Sequence, residues 1–305
     1  MYELIIIGAG PAGISAAVYA ARKRLKTLLI AGDVGGQVNW TSGIENYIGY
    51  QLIEGSELIS KFQEQVNQFP IDQKIGTKVT RVLKLPDNSF ELVTDTGDKF
   101  QGKAVLAAMG KRPRRLNVPG EIELTGRGVT YCAVCDGPIF AEQRVAVVGG
   151  GNSALEAALD MVKIAAHVDV ISPLPLSGDK ILIERLSAAN NINFLIGYSV
   201  TQITGSPLVE GIEIRETKTN AIKKLDVTGI FIEIGLEPNT DAIKGLTALN
   251  DAGEIIIDCN CRTNVPGLFA AGDATNIPEK QIIIAAGEGA KAALQAHRYL
   301  QRLSV

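Results

Sequence analysis

The sequence has few cysteines, little net charge and no long apolar run. Four cysteines in 305 residues are too few for the disulfide framework of a secreted protein. A formal net charge of −3 provides no general attraction to nucleic acid or to acidic lipid. The first apolar run, residues 4–7, is too short for a signal peptide or for a membrane span of roughly 18 apolar residues. We therefore expect a cytoplasmic protein with no membrane or nucleic-acid partner.

The bulk composition is that of a folded protein with more than one core. Hydrophobic residues make up 46% of the chain and charged residues 21%, as in ordinary folded domains. A chain of 305 residues exceeds what one hydrophobic core usually fills. Two domains are therefore expected.

Two copies of one glycine motif occur in the chain, GAGPAG at 8–13 and GGGNSA at 149–154. Each follows a short β-branched run and precedes a helical pattern, and the two copies align without a gap. In a strand–turn–helix unit, such glycines allow a tight turn and let the backbone approach a pyrophosphate, which the helix N-terminus faces. Each copy therefore predicts a dinucleotide site. The residues assigned to these turns are Gly8, Gly10, Pro11, Ala12 and Gly13 in the first copy and Gly149, Gly151, Asn152, Ser153 and Ala154 in the second.

The periodicity of the remaining chain predicts its helices and strands. A helix is expected at 56–69, paired strands at 78–85 and 89–94, further strands at 105–108, 254–257 and 268–270, and a final helix from 281 to 300. The segment after residue 240 lacks a glycine motif and is too short for a core of its own. We therefore expect it to complete the first domain.

The predicted fold class is α/β, with two Rossmann-like dinucleotide-binding domains of three-layer ββα sandwich character, the second inserted into the first. The first domain would comprise residues 1–114 and 241–305, and the second residues 115–240. The segments 111–116 and 235–241 would be the linkers and the candidate hinges.

A Cys-x-x-Cys pair, Cys132 and Cys135, precedes the second glycine motif. At the start of a helix, this spacing allows a small disulfide ring and lowers the pKa of a thiol, so that the reactive thiolate is favoured. Half of a zinc site is the competing interpretation, but zinc usually needs four nitrogen or sulfur ligands. Cys259 and Cys261, expected on one face of a strand, do not form a second pair of the usual spacing, and neither do the two histidines. No metal is therefore expected.

Several motifs stand together in a family order: GAGPAG at 8–13, GGQ at 35–37, IENY at 44–47, CAVCDG at 132–137, GGGNSA at 149–154 and GLFAAGD at 267–273. In this combination the whole chain resembles the low-molecular-weight thioredoxin reductase family. It is more similar still to the flavoprotein portion of the F subunit of alkyl hydroperoxide reductases. GVTYC, CDGPIF, GGGNSALEAA, EIIID and KQIIIAAGEGAKAAL carry that second likeness.

The resemblance implies an FAD-dependent disulfide oxidoreductase whose first domain binds FAD and whose second carries the dithiol. Cys135 would lie nearest the flavin, Cys132 would attack the disulfide of the partner, and Asp136 would move the proton. No acid ends the second strand, where Ala31 and Gly32 stand. The residues implied to bind FAD are Gly8, Gly10, Pro11, Ala12, Gly13, Gly36, Gln37, Asn46, Gly272, Asp273, Lys280, Gln281 and Ile282.

The electron donor and the acceptor stay open at this point. The segment 172–177, SPLPLS, holds neither the basic cluster of NADPH-specific relatives nor the acid of relatives that use NADH. NADH or NADPH is expected, with NADPH disfavoured; a ferredoxin or a second flavin is the alternative, and a non-catalytic nucleotide-sensing protein is the alternative of another class. The acceptor would be a separate thioredoxin-like or glutaredoxin-like dithiol protein, and the enzyme a homodimer.

Overall fold

The structure, a computed structural model, describes residues 1–40, 44 and 46–303, without the side chains of Trp40, Val134 and Cys135. The chain forms two compact units: unit 1 is Met1–Arg112 with Glu237–Val305, and unit 2 is Pro113–Leu236. The expected domain boundaries, 114 and 240, lie two and four residues beyond the observed ends at 112 and 236.

Strands and helices alternate through the first segment of unit 1. In chain order it contains β1 Tyr2–Ala9, α1 Pro11–Arg22, β2 Thr27–Val34, α2 Gly55–Asn67, β3 Asp72–Ile75, β4 Val79–Lys84, β5 Phe90–Thr94 and β6 Lys99–Ala107, with a 3-10 helix at Gly36–Trp40. The linker strand β7 Lys111–Pro113 follows.

Unit 2 begins with short elements around the cysteine pair. It contains β8 Val129–Thr130, α3 Ala133–Asp136, β9 Arg144–Val148, α4 Asn152–Met161, β10 His167–Ser172, α5 Lys180–Ser187, β11 Ile192–Ile196, β12 Tyr198–Gly205, β13 Val209–Glu216, β14 Ile222–Leu225 and β15 Gly229–Ile232, with a 3-10 helix at Gly137–Phe140. The linker strand β16 Leu236–Pro238, which pairs with β7, returns the chain to unit 1. A 3-10 helix at Asp241–Ile243, then β17 Leu268–Ala270 and α6 Ile282–Leu303 complete the fold.

Each unit has its own parallel sheet, and the strands are arranged in the same kind of order in both sheets. In unit 1 the order is β3-β2-β1-β6-β17, and in unit 2 it is β11-β10-β9-β15-β8. The fifth strand of unit 1 comes from the C-terminal segment, which therefore completes the first sheet as expected. Leu4, Ile5 and Ile6 of β1 are fully buried, because a parallel strand between two covering layers needs apolar residues on both faces.

Each unit also has an antiparallel layer and a helical layer. In unit 1 the hairpin β4–β5 extends onto the first half of β6, and in unit 2 the strands β12, β13 and β14 form a separate sheet. Helices α1 and α6 pack together in unit 1, and α4 and α5 in unit 2. The α/β fold class with two Rossmann-like units is confirmed. No described helix is both long and apolar enough to span a bilayer.

Two local predictions near the C-terminus are wrong. Residues 254–257 form no regular strand; Ile255 makes only isolated bridges with Leu249 and Thr275. Cys259 and Cys261 lie in a turn rather than on one face of a strand. Cys261 has a φ of 60°, and its buried thiol donates to the carbonyl of Glu288, whereas Cys259 is exposed. The isoleucines at 255–257 belong to a loop, and the periodicity of so short an apolar run cannot distinguish a loop from a strand.

Candidate active site

A cleft of about 770 Å³ opens at the carboxyl ends of the parallel strands of unit 1. It is lined by residues 7–12, 30–33, 35–38, 77–80, 108–112, 239, 241–242, 271–273, 280–282 and 285. Eleven of the thirteen residues expected to bind FAD line it, all except Gly13 and Asn46. Asn46 lies beside the cleft, since its side-chain amide donates to Oε1 of Gln281 at 3.1 Å.

The first glycine motif forms the floor of this cleft. Gly8 has a φ of 101°, and a Cβ there would lie 2.3 Å from the carbonyl oxygen of Ala108. A Cβ on Gly13 would lie 1.8 Å from the carbonyl oxygen of Gly8, so that α1 can pack against β1 only with glycine at this position. Gly10 caps α1, and the nearest atom to a Cβ there would be 3.9 Å away. The turn therefore leaves open backbone at a helix N-terminus, which fits a dinucleotide pyrophosphate.

A carboxylate stands where none was expected. The strand β2 continues beyond Ala31 and Gly32 to Val34, and Asp33 lines the cleft. Its Oδ1 accepts the backbone amide of Gly36 at 3.2 Å, which holds the 3-10 turn that carries Gln37. The expectation that no acid ends this strand is wrong, because the strand is longer than its apolar run.

Asp273 follows β17 and lines the same cleft. Burial raises the pKa of this carboxyl above its ordinary value, and the charges of Lys280 and Lys111 act in the opposite direction. The Gln37 side-chain amide donates to its Oδ2 at 3.5 Å. The preceding residue, Gly272, has a φ of 76° and donates its amide to Glu288 at 2.9 Å.

Two lysines of the cleft share one carboxylate that no sequence pattern singles out. Nζ of Lys111 lies 2.9 Å and Nζ of Lys280 lies 3.1 Å from Oε1 of Glu254. Burial by itself would raise the pKa of Glu254, but hydrogen bonds from Lys111, Asn250 and Lys280 outweigh it and lower the pKa to about 2. The cluster places two cations at the cleft, which suits an anionic ligand.

Replacing Glu254 by glutamine is expected to destabilise the protein by about 2 kcal/mol at pH 7, since two half-buried lysines lose their shared anion. A folded-state pKa of about 2 lies below the ordinary value of 4.5, so this stabilisation is present above pH 4.5 and is lost as the pH falls towards 2. Urea unfolding at pH 7 and at pH 3 measures both effects. Glu279→Gln, which changes an exposed carboxylate nearby, should show neither.

The second glycine motif forms a comparable turn in unit 2. Gly149 has a φ of 147°, and a Cβ there would lie 2.2 Å from the carbonyl oxygen of Glu233 and 2.8 Å from Cβ of Ala154. Gly151 caps α4, and Asn152 and Ser153 are exposed at its start. This part of the predicted second site is therefore assembled as a strand–turn–helix unit.

The segment after β10 folds back onto this turn. The amide of Ser177 donates to the carbonyl of Gly150, and the amide of Asp179 donates to Oδ1 of Asn152, both at 2.7 Å. The Ser172 hydroxyl donates to the carbonyl of Leu174, also at 2.7 Å. Asn152, which was assigned to the dinucleotide, thus also holds this segment.

The cysteine segment lies at the start of α3. Cys132 is disulfide-bonded, and the side chain of Cys135 lies outside the described part of the chain. The Thr130 hydroxyl accepts the amide of Cys132 at 3.2 Å and donates to the carboxylate of Asp136. The amide of Asp136 donates to the carbonyl of Cys132 at 3.2 Å. Thr130, which was not predicted, therefore fixes the carboxylate beside the disulfide. Within the described residues, no three His, Cys, Asp or Glu side chains gather as a metal site.

These features agree with comparisons to known proteins. The family described as pyridine nucleotide-disulphide oxidoreductase matches residues 2–293. The chain belongs to this family. Membership makes it an enzyme and implies the use of a flavin and a pyridine nucleotide.

Individual relatives narrow the likeness to thioredoxin reductase-like members of the family. The chain is 43% identical over 302 residues to the F subunit of alkyl hydroperoxide reductase from Staphylococcus aureus (strain MSSA476), and 40% identical over 305 residues to that from Escherichia coli (strain K12). Each match covers 99% of this chain but only 59% and 58% of the relative. The crystal structure of Lactococcus lactis thioredoxin reductase (FR conformation) matches with a TM-score of 0.82 and 37% identity, covering 99% of this chain and all of that one. The chain is thus a thioredoxin reductase-like disulfide oxidoreductase.

Proposed function

We propose that the protein passes two electrons from a pyridine nucleotide through FAD to a Cys132–Cys135 disulfide, and then to a small thioredoxin-like or glutaredoxin-like protein. The observation that carries this proposal is the disulfide at Cys132, placed at a helix start beside a fixed carboxylate and in the same unit as an intact dinucleotide turn. A nucleotide-sensing protein would have no use for an exchangeable dithiol.

The residues of the unit 1 cleft would hold FAD. Gly10 and the first turn of α1 would receive the pyrophosphate, and Lys111 and Lys280 would offset its negative charge. Asp33 and Asp273 are carboxylates placed to accept from hydroxyl groups of the ligand. When bound, FAD supplies a two-electron carrier between the nucleotide and the disulfide.

The cysteine segment would perform the thiol–disulfide exchange. After reduction, the Cys132 thiolate attacks the disulfide of the acceptor, and Cys135 then resolves the mixed disulfide. Asp136, held by Thr130, would accept and return the proton of the attacking thiol. Since flavin and dithiol belong to different units, the linkers at 111–116 and 235–241 are the proposed hinges.

We propose a nicotinamide donor and favour NADH over NADPH. No side chain of 172–177 is basic, so nothing in this segment would pair with a 2′-phosphate, and the Ser172 hydroxyl already donates to a carbonyl. Anaerobic rapid mixing with each nucleotide tests the assignment through the visible flavin absorbance. NADH should bleach the flavin in a single fast phase and NADPH more slowly; a flavin that neither nucleotide bleaches would remove the donor assignment.

A donor other than a nicotinamide is the second candidate. The observation in its favour is the segment 172–179, which hydrogen-bonds to Gly150 and Asn152. Residues 172–177 of this segment include no acidic or basic side chain that could contact the ribose of a nicotinamide nucleotide. Two flavins per chain after denaturation, or bleaching by a reduced ferredoxin alone, would support this version. We further propose a cytoplasmic homodimer, which sedimentation velocity of the purified protein would test.

A further inference from the structure

Glu121 is a fully buried carboxylate of unit 2 that the proposed electron route does not use. Its Oε1 accepts the Tyr131 hydroxyl at 2.8 Å and the backbone amide of Leu116 at 3.0 Å. Its Oε2 accepts the backbone amide of Asn117 at 2.7 Å. Three donors therefore converge on two oxygens, an arrangement that suits a carboxylate and that an amide side chain, which has only one oxygen, cannot reproduce.

The two backbone donors belong to the end of the first linker. Leu116 is the last residue of the proposed hinge 111–116, and Asn117 follows it with a φ of 56°. A residue other than glycine in this left-handed region costs free energy unless neighbouring contacts hold it there. Glu121 supplies such contacts, since it accepts two consecutive amides at the bend. The carboxylate thus fixes the end of the linker within unit 2.

The third donor is the residue directly before Cys132. Tyr131 follows strand β8, and its ring packs on the same apolar core cluster as Leu116. Burial and the hydrogen bond to Glu121 raise the pKa of the Tyr131 phenol to about 12, so the hydroxyl remains a donor at neutral pH. Because one peptide bond joins Tyr131 to Cys132, a restraint on this side chain also restrains the backbone that carries the sulfur.

We propose that Glu121 is a positioning residue for the disulfide: through Tyr131 it holds Cys132 where the disulfide forms, and through two backbone amides it ties that segment to the linker. The inference deepens the proposed function and rests on it, because it takes Cys132 as the exchanging sulfur and 111–116 as a hinge. The disulfide and the hydrogen bond confine the same few residues, so each lowers the entropy cost of forming the other. Breaking the hydrogen bond therefore makes the disulfide easier to reduce.

The informative variant is Tyr131→Phe, which keeps the ring and removes only the donor. Replacing Glu121 itself would leave buried donors without an acceptor and destabilise unit 2 as a whole. The measurement is the equilibrium of the Cys132 disulfide with reduced and oxidised glutathione at pH 7, in flavin-loaded protein without oxygen, read by acid quench, alkylation and mass spectrometry. Two glutathione thiols reduce the disulfide to two protein thiols and leave as one glutathione disulfide. The equilibrium constant for forming the protein disulfide should fall about threefold, a fraction of the effect of one net hydrogen bond.

The connection to the linker gives a second measurement. In the parent protein, reduction of the disulfide should speed hydrogen exchange at the amides of Leu116 and Asn117 by up to about the same threefold factor, since coupling between two sites acts equally in both directions. In Tyr131→Phe, exchange at these two amides should no longer depend on the redox state. Exchange in the parent that is indifferent to the redox state would overturn the proposed tie.

Tyr198→Phe is the matched control, because this tyrosine packs on the same cluster but lies on β12, outside the redox segment. It should leave the glutathione equilibrium unchanged, and a shift equal to that of Tyr131→Phe would overturn the proposal. Equal constants for Tyr131→Phe and its parent would also overturn it, as would a loss of stability alone, which a purely structural hydrogen bond would give. A disulfide that glutathione does not reduce at all would remove the proposed function as well, so the two failures are distinguishable.

Discussion

Replacement of Cys132 by serine is expected to lower the reduction of an acceptor disulfide by roughly a thousandfold or more, while the protein keeps its flavin. A hydroxyl cannot form the disulfide found at Cys132 and is a far weaker nucleophile than a thiolate. The bound flavin should persist because every residue of the unit 1 cleft is left intact. Steady-state reduction of a thioredoxin-like protein and the visible spectrum measure the two effects.

Companion variants make this result specific. Cys135→Ser should abolish turnover equally, since both sulfurs are needed for the cycle, and reduction of the flavin by the nucleotide should survive in both variants. Cys259→Ser is the matched control, because this thiol is free, exposed and located in unit 1. Full turnover by the Cys132→Ser protein would mean that the electrons leave the flavin by another route.

The parts of the site that follow a local sequence rule could be predicted from the sequence. The two glycine turns lie where the motifs place them, and at Gly13 the steric demand for glycine is local, because a Cβ there would meet the carbonyl oxygen of Gly8. The pair at Cys132 and the carboxylate of Asp136 lie within one short segment, so their proximity needs no tertiary information. The insertion of one unit into the other followed from the missing glycine motif after residue 240.

The residues that could not be predicted act through contacts between distant segments. Glu254 joins Lys111 and Lys280, which are 143 and 26 residues away in the chain, and no local pattern distinguishes it from a surface carboxylate. Asp33 was not predicted for a different reason, because strand β2 extends beyond the apolar run by which it is recognised in the sequence.

Replacement of Gly289 by alanine is expected to destabilise unit 1 by about 3 kcal/mol and to weaken flavin retention. This glycine lies on α6, and a Cβ there would be 1.9 Å from the carbonyl oxygen of Ala12, well inside contact distance. The clash is with backbone, so α6 has to move away from α1 rather than adjust a side chain. Because Pro11 and Ala12 begin the helix that faces the cleft, this movement displaces the glycine turn as well.

The same helix provides the control. Gly287 lies two residues earlier in α6, and a Cβ there would meet no atom within 4 Å. Gly287→Ala should therefore stabilise the protein by about 0.5–1 kcal/mol, since alanine favours a helix over glycine. The two variants have the same amino-acid composition, and their stabilities are compared by urea unfolding and their flavin contents after gel filtration. If both alanines act alike, the close approach of α1 and α6 does not govern the cleft; opposite signs would establish that it does.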